Sequence, residues 1–413
     1  MMILGENACF EEGYVENTNT ILIGASGTGK TRSYVLPNLM SAEEESLVVL
    51  DPKGEIYDIS AELMREKGYK VYSLDFANPD KSDINYNPLS YCRSEEDIIR
   101  FSRIMVDEQQ RSMDIFWGLS AQILLNALVA FVRYHRPEKD QNLSAITTLL
   151  RAAVVSEDSP ERNPSKLDKV FDEVYKVAPD SWAYSQYDLV RKAAGKTQKS
   201  IVITLVSTFC GFLTPQIASL TAFNNLDIEG LCSRKTVLYV KCSDSDRSKD
   251  KLIATFFSQL FQELYRIADR ASTHSLKRPV KVILDDVGAN LKIPNLDGII
   301  STARGRGISL SLILQSIGQL KRQYDDYTSI LNSCNNVVFL GGSDLETCQE
   351  MAQRLNRPLA SVLYKERETI FVFRQGEKPM VTKTYNLKSH PRYSGLVNPY
   401  GKQNQDNKEE MSI

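Results

Sequence analysis

The segment Gly24-Ala25-Ser26-Gly27-Thr28-Gly29-Lys30-Thr31 constrains this chain more than any other. It follows the apolar run Thr20-Ile21-Leu22-Ile23, and a helical pattern from Arg32 to Met40 follows it. The spelling G-x-x-x-x-G-K-S/T between a strand and a helix is that of a phosphate-binding loop. Its glycines let successive backbone N–H groups turn inward around phosphate oxygens, and the helix N-terminus adds partial positive charge. Lys30 is then placed for β- and γ-phosphates and the Thr31 hydroxyl for Mg2+. Gly24 to Thr31, with Arg32, are the candidate nucleotide-binding residues.

Such a loop needs a sheet to hold it. Two further buried-strand runs, Leu47 to Leu50 and Lys70 to Leu74, end at Asp51 and Asp75, and the helix Ile56 to Lys67 lies between them. Strand and helix alternate at the spacing of βαβ units, which implies a parallel sheet. Between about Ser94 and Ala194 the strand-like runs vanish. Helical periodicity takes over in Glu95–Val106, Phe116–Tyr134, Leu143–Ala153 and Leu167–Val177, with a polar loop at Ser156–Ser165. Alternation returns with strands at Thr236–Lys241, Lys281–Leu284, Ile308–Leu314 and Asn336–Leu340, and the long helix Lys251–Ala268. Thr369–Phe373 and Met380–Thr384 form a closing β-pair around Gly376. The expected organisation is an α/β nucleotide-binding domain (residues 1–91 and 196–393), an all-α insertion (92–195) and a polar, disordered tail (394–413).

A phosphate-binding loop works with a carboxylate at the end of a nearby strand. Asp285, after Val282-Ile283-Leu284, is the candidate Mg2+ residue. Asp286 occupies the place where a hydrolytic enzyme of this kind puts a glutamate to polarise the attacking water. Gln315, at the end of the following strand, is a candidate γ-phosphate sensor. Arg304 and Arg306 are candidate arginines for stabilising transferred charge across a subunit interface. Gly195-Lys196-Thr197 imitates the end of a phosphate loop but lacks the preceding strand. Gly341-Gly342 followed by Ser343-Asp344 fits a turn and helix cap better than a phosphate site.

Composition narrows the function classes. Lys and Arg number 50 and Asp and Glu 52, so no global basic excess exists, and any nucleic-acid contact must be made by local patches such as Arg191-Lys192 or Lys321-Arg322. The seven cysteines and three histidines are scattered without metal-binding or disulfide spacing, so a reducing cytoplasm is expected. No basic-then-apolar leader opens the sequence. Two uncharged stretches, Ile115–Val132 and Ser200–Leu226, carry too many polar residues for a membrane span and fit core helices.

Together the motifs resemble one family. Asp51-Pro52-Lys53-Gly54-Glu55, Asn85-Tyr86-Asn87-Pro88-Leu89, Phe116-Trp117, Arg306-Gly307-Ile308, Leu314-Gln315-Ser316 and Gly341-Gly342-Ser343-Asp344 occur in order, from about residue 17 to 395. The set is similar to the type IV secretion coupling proteins, the TraG/TraD-type ATPases of bacterial conjugation, especially their Gram-positive branch. The resemblance implies a RecA-like motor that uses ATP and Mg2+, assembles as a hexamer and moves single-stranded DNA. It also implies that the all-α domain recognises the relaxase–DNA complex and hands it to components of the type IV secretion channel. By position, Lys30 and Thr31 are the Walker A contacts and Asp285 the Walker B carboxylate. Asp286 departs from the family's glutamate, which implies slower hydrolysis. The family's N-terminal membrane helices are missing from this sequence, so a link to the inner face of the membrane is expected through a partner or an anchor outside it. Two other readings stay open: an ATP-binding cargo receptor with little hydrolysis, and a soluble P-loop motor for DNA partitioning or packaging.

Overall fold

A computed structural model describes residues 1–11, 17–110, 115–153, 164–192, 195–287 and 291–398. The chain divides into two compact units. The first contains Met1–Ser73, Asp227–Arg247 and the residues from Leu260 onward; the second contains Leu74–Leu226 and Ser248–Gln259.

The first unit is built on strands β1 (Met2–Gly5), β2 (Ala8–Phe10), β3 (Thr20–Gly24), β4 (Ser46–Asp51), β5 (Lys70–Asp75), β6 (Thr236–Lys241), β7 (Val280–Leu284), β8 (Ile308–Leu314), β9 (Asn336–Gly341), β10 (Thr369–Arg374) and β11 (Met380–Lys383). β5 crosses into the second unit at Leu74. A nine-stranded sheet has the order β11-β10-β9-β3-β8-β7-β4-β6-β5. From β9 through β6 neighbouring strands are parallel, and β10 and β11 close one edge as an antiparallel pair. Every residue of β3, β4 and β7 is buried, as expected for parallel strands covered on both faces. The expected parallel α/β sheet is therefore present.

The sequence did not suggest the β1–β2 hairpin, whose strands are too short for a periodic signal. A buried asparagine supports it. Asn38 accepts the Ile3 N–H at 2.9 Å and donates to the Ile3 carbonyl at 2.8 Å, standing in for a neighbouring strand. The helix expected over Arg32–Met40 is present in altered form. Thr31–Val35 makes a wide, π-type turn before the regular helix Leu36–Ser41, and Pro37 sits in that helix's first turn. Pro37 has no N–H to donate, and a wide turn just ahead of it accommodates the missing bond.

The tail expectation needs correction over its first residues. Tyr393–Gly395 forms a short helical turn, Leu396 is buried in the core cluster, and the Val397 N–H donates to the Ile59 carbonyl at 3.0 Å. A single apolar residue in a polar segment carries no periodicity, so its place in the core cluster could not be read locally. Residues 399–413 lie outside the described residues.

The second unit is helical. Its central helix, Ile115–His135, buries Leu124, Leu125, Leu128, Val129 and Val132 against Glu95–Gln110, Trp182–Arg191 and Gly195–Cys210. Among the described residues, Phe116–His135 is the one helix long and apolar enough to cross a membrane, and 61% of its most apolar window is buried. The helices Leu143–Ala152 and Lys166–Val177 also match expectation, the latter opened by a reciprocal Ser165–Asp168 cap. The rest of the expected 156–165 loop lies almost wholly outside the described residues. Ser200–Leu226 is two helices, Gly195–Cys210 and Pro215–Leu220, because Pro215 can start a helix but not continue one.

This unit is wider than the expected 92–195 insertion, for a reason visible in its hydrogen bonds. Asn85 Nδ2 donates to the Ser219 carbonyl at 3.0 Å, Asn87 Nδ2 to Gln141 at 2.6 Å, and Gln259 Nε2 to Pro88 at 3.0 Å. Those bonds tie 85–88, 219 and 259 into one body across long sequence separations.

Candidate functional site

Parallel strands end on the same edge of a sheet, so residues that follow them converge there. Lys30 follows β3, Gln315 follows β8, Asp285 and Asp286 follow β7, and Asp51 ends β4. These four strands are consecutive in the sheet. Leu50 pairs with Leu284, which sets Asp51 beside Asp285.

The phosphate loop has the backbone its sequence demands. Gly27 and Gly29 take φ +78° and +83°, left-handed values that glycine adopts without strain. A Cβ at either would meet nothing within 4 Å, so conformation and not space selects glycine there. The flanks are pinned: the Ala25 N–H donates to the Gly341 carbonyl at 2.8 Å, and Thr28 Oγ1 donates to the Ala25 carbonyl at 2.8 Å. Lys30 Nζ donates to the Gly24 carbonyl at 2.9 Å and lies 3.5 Å from Asp286 Oδ1. Gln315 Nε2 reaches the same Asp286 oxygen at 3.5 Å. Asp286 itself sits at φ +50°, a conformation aspartate tolerates better than most residues.

A cleft of about 350 Å³ opens at this edge. Ser26, Gly27, Gly29, Lys30, Thr31 and Arg32 line it from the loop, and Asp285 and Asp286 from β7. Gly24, Ala25 and Thr28 hold the loop's shape without lining the cleft. Asp51, Lys53 and Glu55 also line it. The sequence marked that segment as a motif but not as part of the site; a carboxylate at the end of a buried-strand run was the available signal.

The acidic groups are electrostatically loaded. Asp285 Oδ1 is buried without a hydrogen-bond partner among the described residues. Burial pushes the Asp285 carboxyl up to about 7; the charge of Asp286 adds to this and Lys30 opposes it. Burial likewise pushes Asp51 up to about 6, against backbone N–H bonds from Tyr57 and Ile56 and the charge of Lys241. An orphaned, desolvated oxygen beside a glycine cradle and a lysine fits a site where Asp285 would hold a divalent cation, which would supply positive charge for a polyphosphate.

Arg304 and Arg306 are not brought to the cleft. They lie in a short turn before β8, at the opposite edge of the sheet. Arg306 is committed to Asp269 at 2.9 Å and lies over the Tyr265 ring at 4.4 Å, whereas Arg304 is exposed and unpaired among the described residues. The basic clusters are paired on helix faces: Arg191 with Asp172, Lys192 with Asp188, and Lys321 with Glu346. Gly341-Gly342 leads into a helix, Leu345–Leu355, capped by Asp344 through the Thr347 N–H at 3.0 Å. Gly195 opens a helix with no strand before it.

Known proteins resemble this chain along most of its length. Conjugal transfer protein TraG of Rhizobium radiobacter is 24% identical over 375 residues, covering 87% of this chain and 56% of TraG. Protein VirD4 of Agrobacterium fabrum (strain C58) is 19% identical over 371 residues, covering 86% of this chain and 51% of VirD4. The chain thus spans about half the length of the curated relatives it matches. Among solved structures, the bacterial conjugative coupling protein TrwBdeltaN70 superposes with a TM-score of 0.66 at 16% identity, covering 93% of this chain and 88% of that one. TrwB in complex with ADP and Mg2+ gives the same TM-score, with 92% and 88% covered. That likeness establishes the fold, a mostly parallel sheet joined to a helical domain as in TrwB. The family model for type IV secretory system conjugative DNA transfer matches residues 2–357, and the chain belongs to that family.

Proposed function

We propose that this chain is an ATP-hydrolysing coupling protein of conjugation, which drives single-stranded DNA into a type IV secretion channel. The observation that carries this reading is the convergence at one strand edge of Lys30, Gln315, Asp286 and the orphaned Asp285 oxygen beneath a glycine cradle. TrwB, which shares the fold, has been solved with ADP and Mg2+ and with a non-hydrolysable ATP analogue, which supports ATP and Mg2+ as the ligands of this cleft.

In this reading the loop amides and Lys30 bind the β- and γ-phosphates. Thr31 and Asp285 hold Mg2+, which when bound neutralises charge on the phosphate oxygens. Gln315 reports the γ-phosphate to β8. Arg304, exposed on the opposite sheet edge, completes the cleft of a neighbouring subunit in a hexamer, while Arg306 braces that turn. The helical unit, expected over 92–195, receives the relaxase–DNA complex and passes it to channel components. The protein works at the inner face of the cell membrane.

Asp286 supports a second reading, an ATP-binding cargo receptor with little turnover. It is one methylene shorter than glutamate and is already held between Lys30 and Gln315, so hydrolysis that relied on it alone would be slow.

ATP turnover measured with and without single-stranded DNA tests the main reading. Stimulated, Mg2+-dependent turnover that Lys30→Ala abolishes is expected. Wild-type turnover in Lys30→Ala would end the assignment of this cleft. Tight ATP binding with no turnover under any condition would favour the receptor.

A further inference from the structure

The turn after β4 carries a carboxylate with no role so far. Asp51 Oδ2 accepts the Tyr57 N–H at 2.9 Å, and the Asp51 carbonyl accepts the Gly54 N–H at 3.3 Å. Gly54 sits at φ +73°, so the chain reverses there and enters the helix Glu55–Glu66 at once. Lys241 Nζ packs over the Tyr57 ring at 3.7 Å and fixes the same turn from β6. Asp51 is thus consumed in holding the turn. What the turn presents to the cleft is Lys53 and Glu55.

Glu55 is exposed and makes no hydrogen bond or ion pair among the described residues. It lines the same cleft as Gly27, Gly29 and Lys30. Asp286, by contrast, has one oxygen 3.5 Å from both Lys30 Nζ and Gln315 Nε2. A carboxylate that polarises water needs a free oxygen and the reach to follow the water to the γ-phosphorus. Glu55 lines the cleft with neither oxygen engaged among the described residues, and its side chain is one methylene longer than that of Asp286.

We infer that Glu55 is the carboxylate that activates the attacking water, and that Asp286 serves to hold Lys30 and Gln315 around the γ-phosphate. This rests on the reading that the cleft hydrolyses ATP. In the step, the water oxygen bonds to the γ-phosphorus as the bond from that phosphorus to the β,γ-bridging oxygen breaks. The electron pair of the broken bond leaves on ADP. The water proton passes to the Glu55 carboxylate, which releases it to solvent, and inorganic phosphate is formed. Asp51 is the positioning residue, acting through the turn and not on the water.

The test uses the full chain with MgATP and a fluorescent ATP analogue. Removing a general base costs on the order of 10²-fold in kcat, so Glu55→Gln is expected to lose about that much while KM and analogue binding stay within about 2-fold. After incubation with MgATP, nucleotide recovered with the Glu55→Gln protein should be ATP, whereas that recovered with wild type should be ADP. Asp286→Asn should lose less kcat than Glu55→Gln. The inference is overturned if Glu55→Gln keeps kcat within about 3-fold of wild type while Lys30→Ala is inactive, a result that leaves the ATPase reading standing. It is also overturned if Glu55→Gln loses nucleotide binding together with turnover, or if Asp286→Asn proves the more damaging. Unimpaired turnover in Lys30→Ala would instead remove the ATPase reading beneath it.

Discussion

Replacing Asp285 by asparagine should remove a pH-dependent liability of the nucleotide-free protein. The Asp285 carboxyl is raised to about 7 by burial first and by Asp286 second. A group whose folded pKa is raised holds its proton more tightly in the folded state. Its stabilising contribution is therefore complete below the unfolded value and is lost as pH rises through about 7. Each unit in that window is worth about 1.4 kcal/mol, so wild type should lose about 3 kcal/mol from this group between about pH 5 and about pH 8.5. Asparagine has no proton to lose. Its own unpaired amide costs roughly 1–3 kcal/mol at either pH and cancels in the difference. Urea unfolding of both proteins at the two pH values, without Mg2+ or nucleotide, reads the effect directly. The variant should gain about 3 kcal/mol on wild type as pH rises, while losing Mg2+-dependent nucleotide binding. If the two proteins change in parallel, to within about 0.5 kcal/mol, Asp285 is not a desolvated carboxylate and the argument from burial is wrong.

Other substitutions separate the remaining roles. Arg304→Ala should leave nucleotide binding and folding intact but lower turnover only where the protein assembles; equal loss at concentrations with no assembly would exclude a role in the neighbouring cleft. Arg306→Ala should cost about 1 kcal/mol through the half-exposed Asp269 pair and the Tyr265 contact, read as a shift in thermal midpoint, with no shift refuting the bracing role. Leu396→Ala should cost about 2–3 kcal/mol, because Leu396 is 8% exposed and belongs to the core cluster; a change near zero would show that the C-terminal segment is not docked.

The phosphate loop, the strands that end in Asp51, Asp285 and Gln315, and the long helices were all legible in the sequence. Each depends on neighbours a few residues away: glycines for positive φ, β-branched runs for buried strands, and a 3.6-residue period for helices. The order β3-β8-β7-β4 was not legible. Strand order depends on which buried faces pack together across hundreds of residues, and no local pattern encodes it. That order is what brings Lys30 and Gln315 to the same Asp286 oxygen and sets Asp51 beside Asp285. Arg304 and Arg306 lie at the far edge for a local reason, because the seven-residue strand β8 separates them from Gln315. Tertiary structure alone decided three further matters: the β1–β2 hairpin held by Asn38, the docking of Leu396, and the breadth of the helical unit. Each rests on contacts between segments far apart in the chain. The sequence thus determined which chemical groups the cleft has to work with, and packing determined which of them meet and which, like Glu55, are left free.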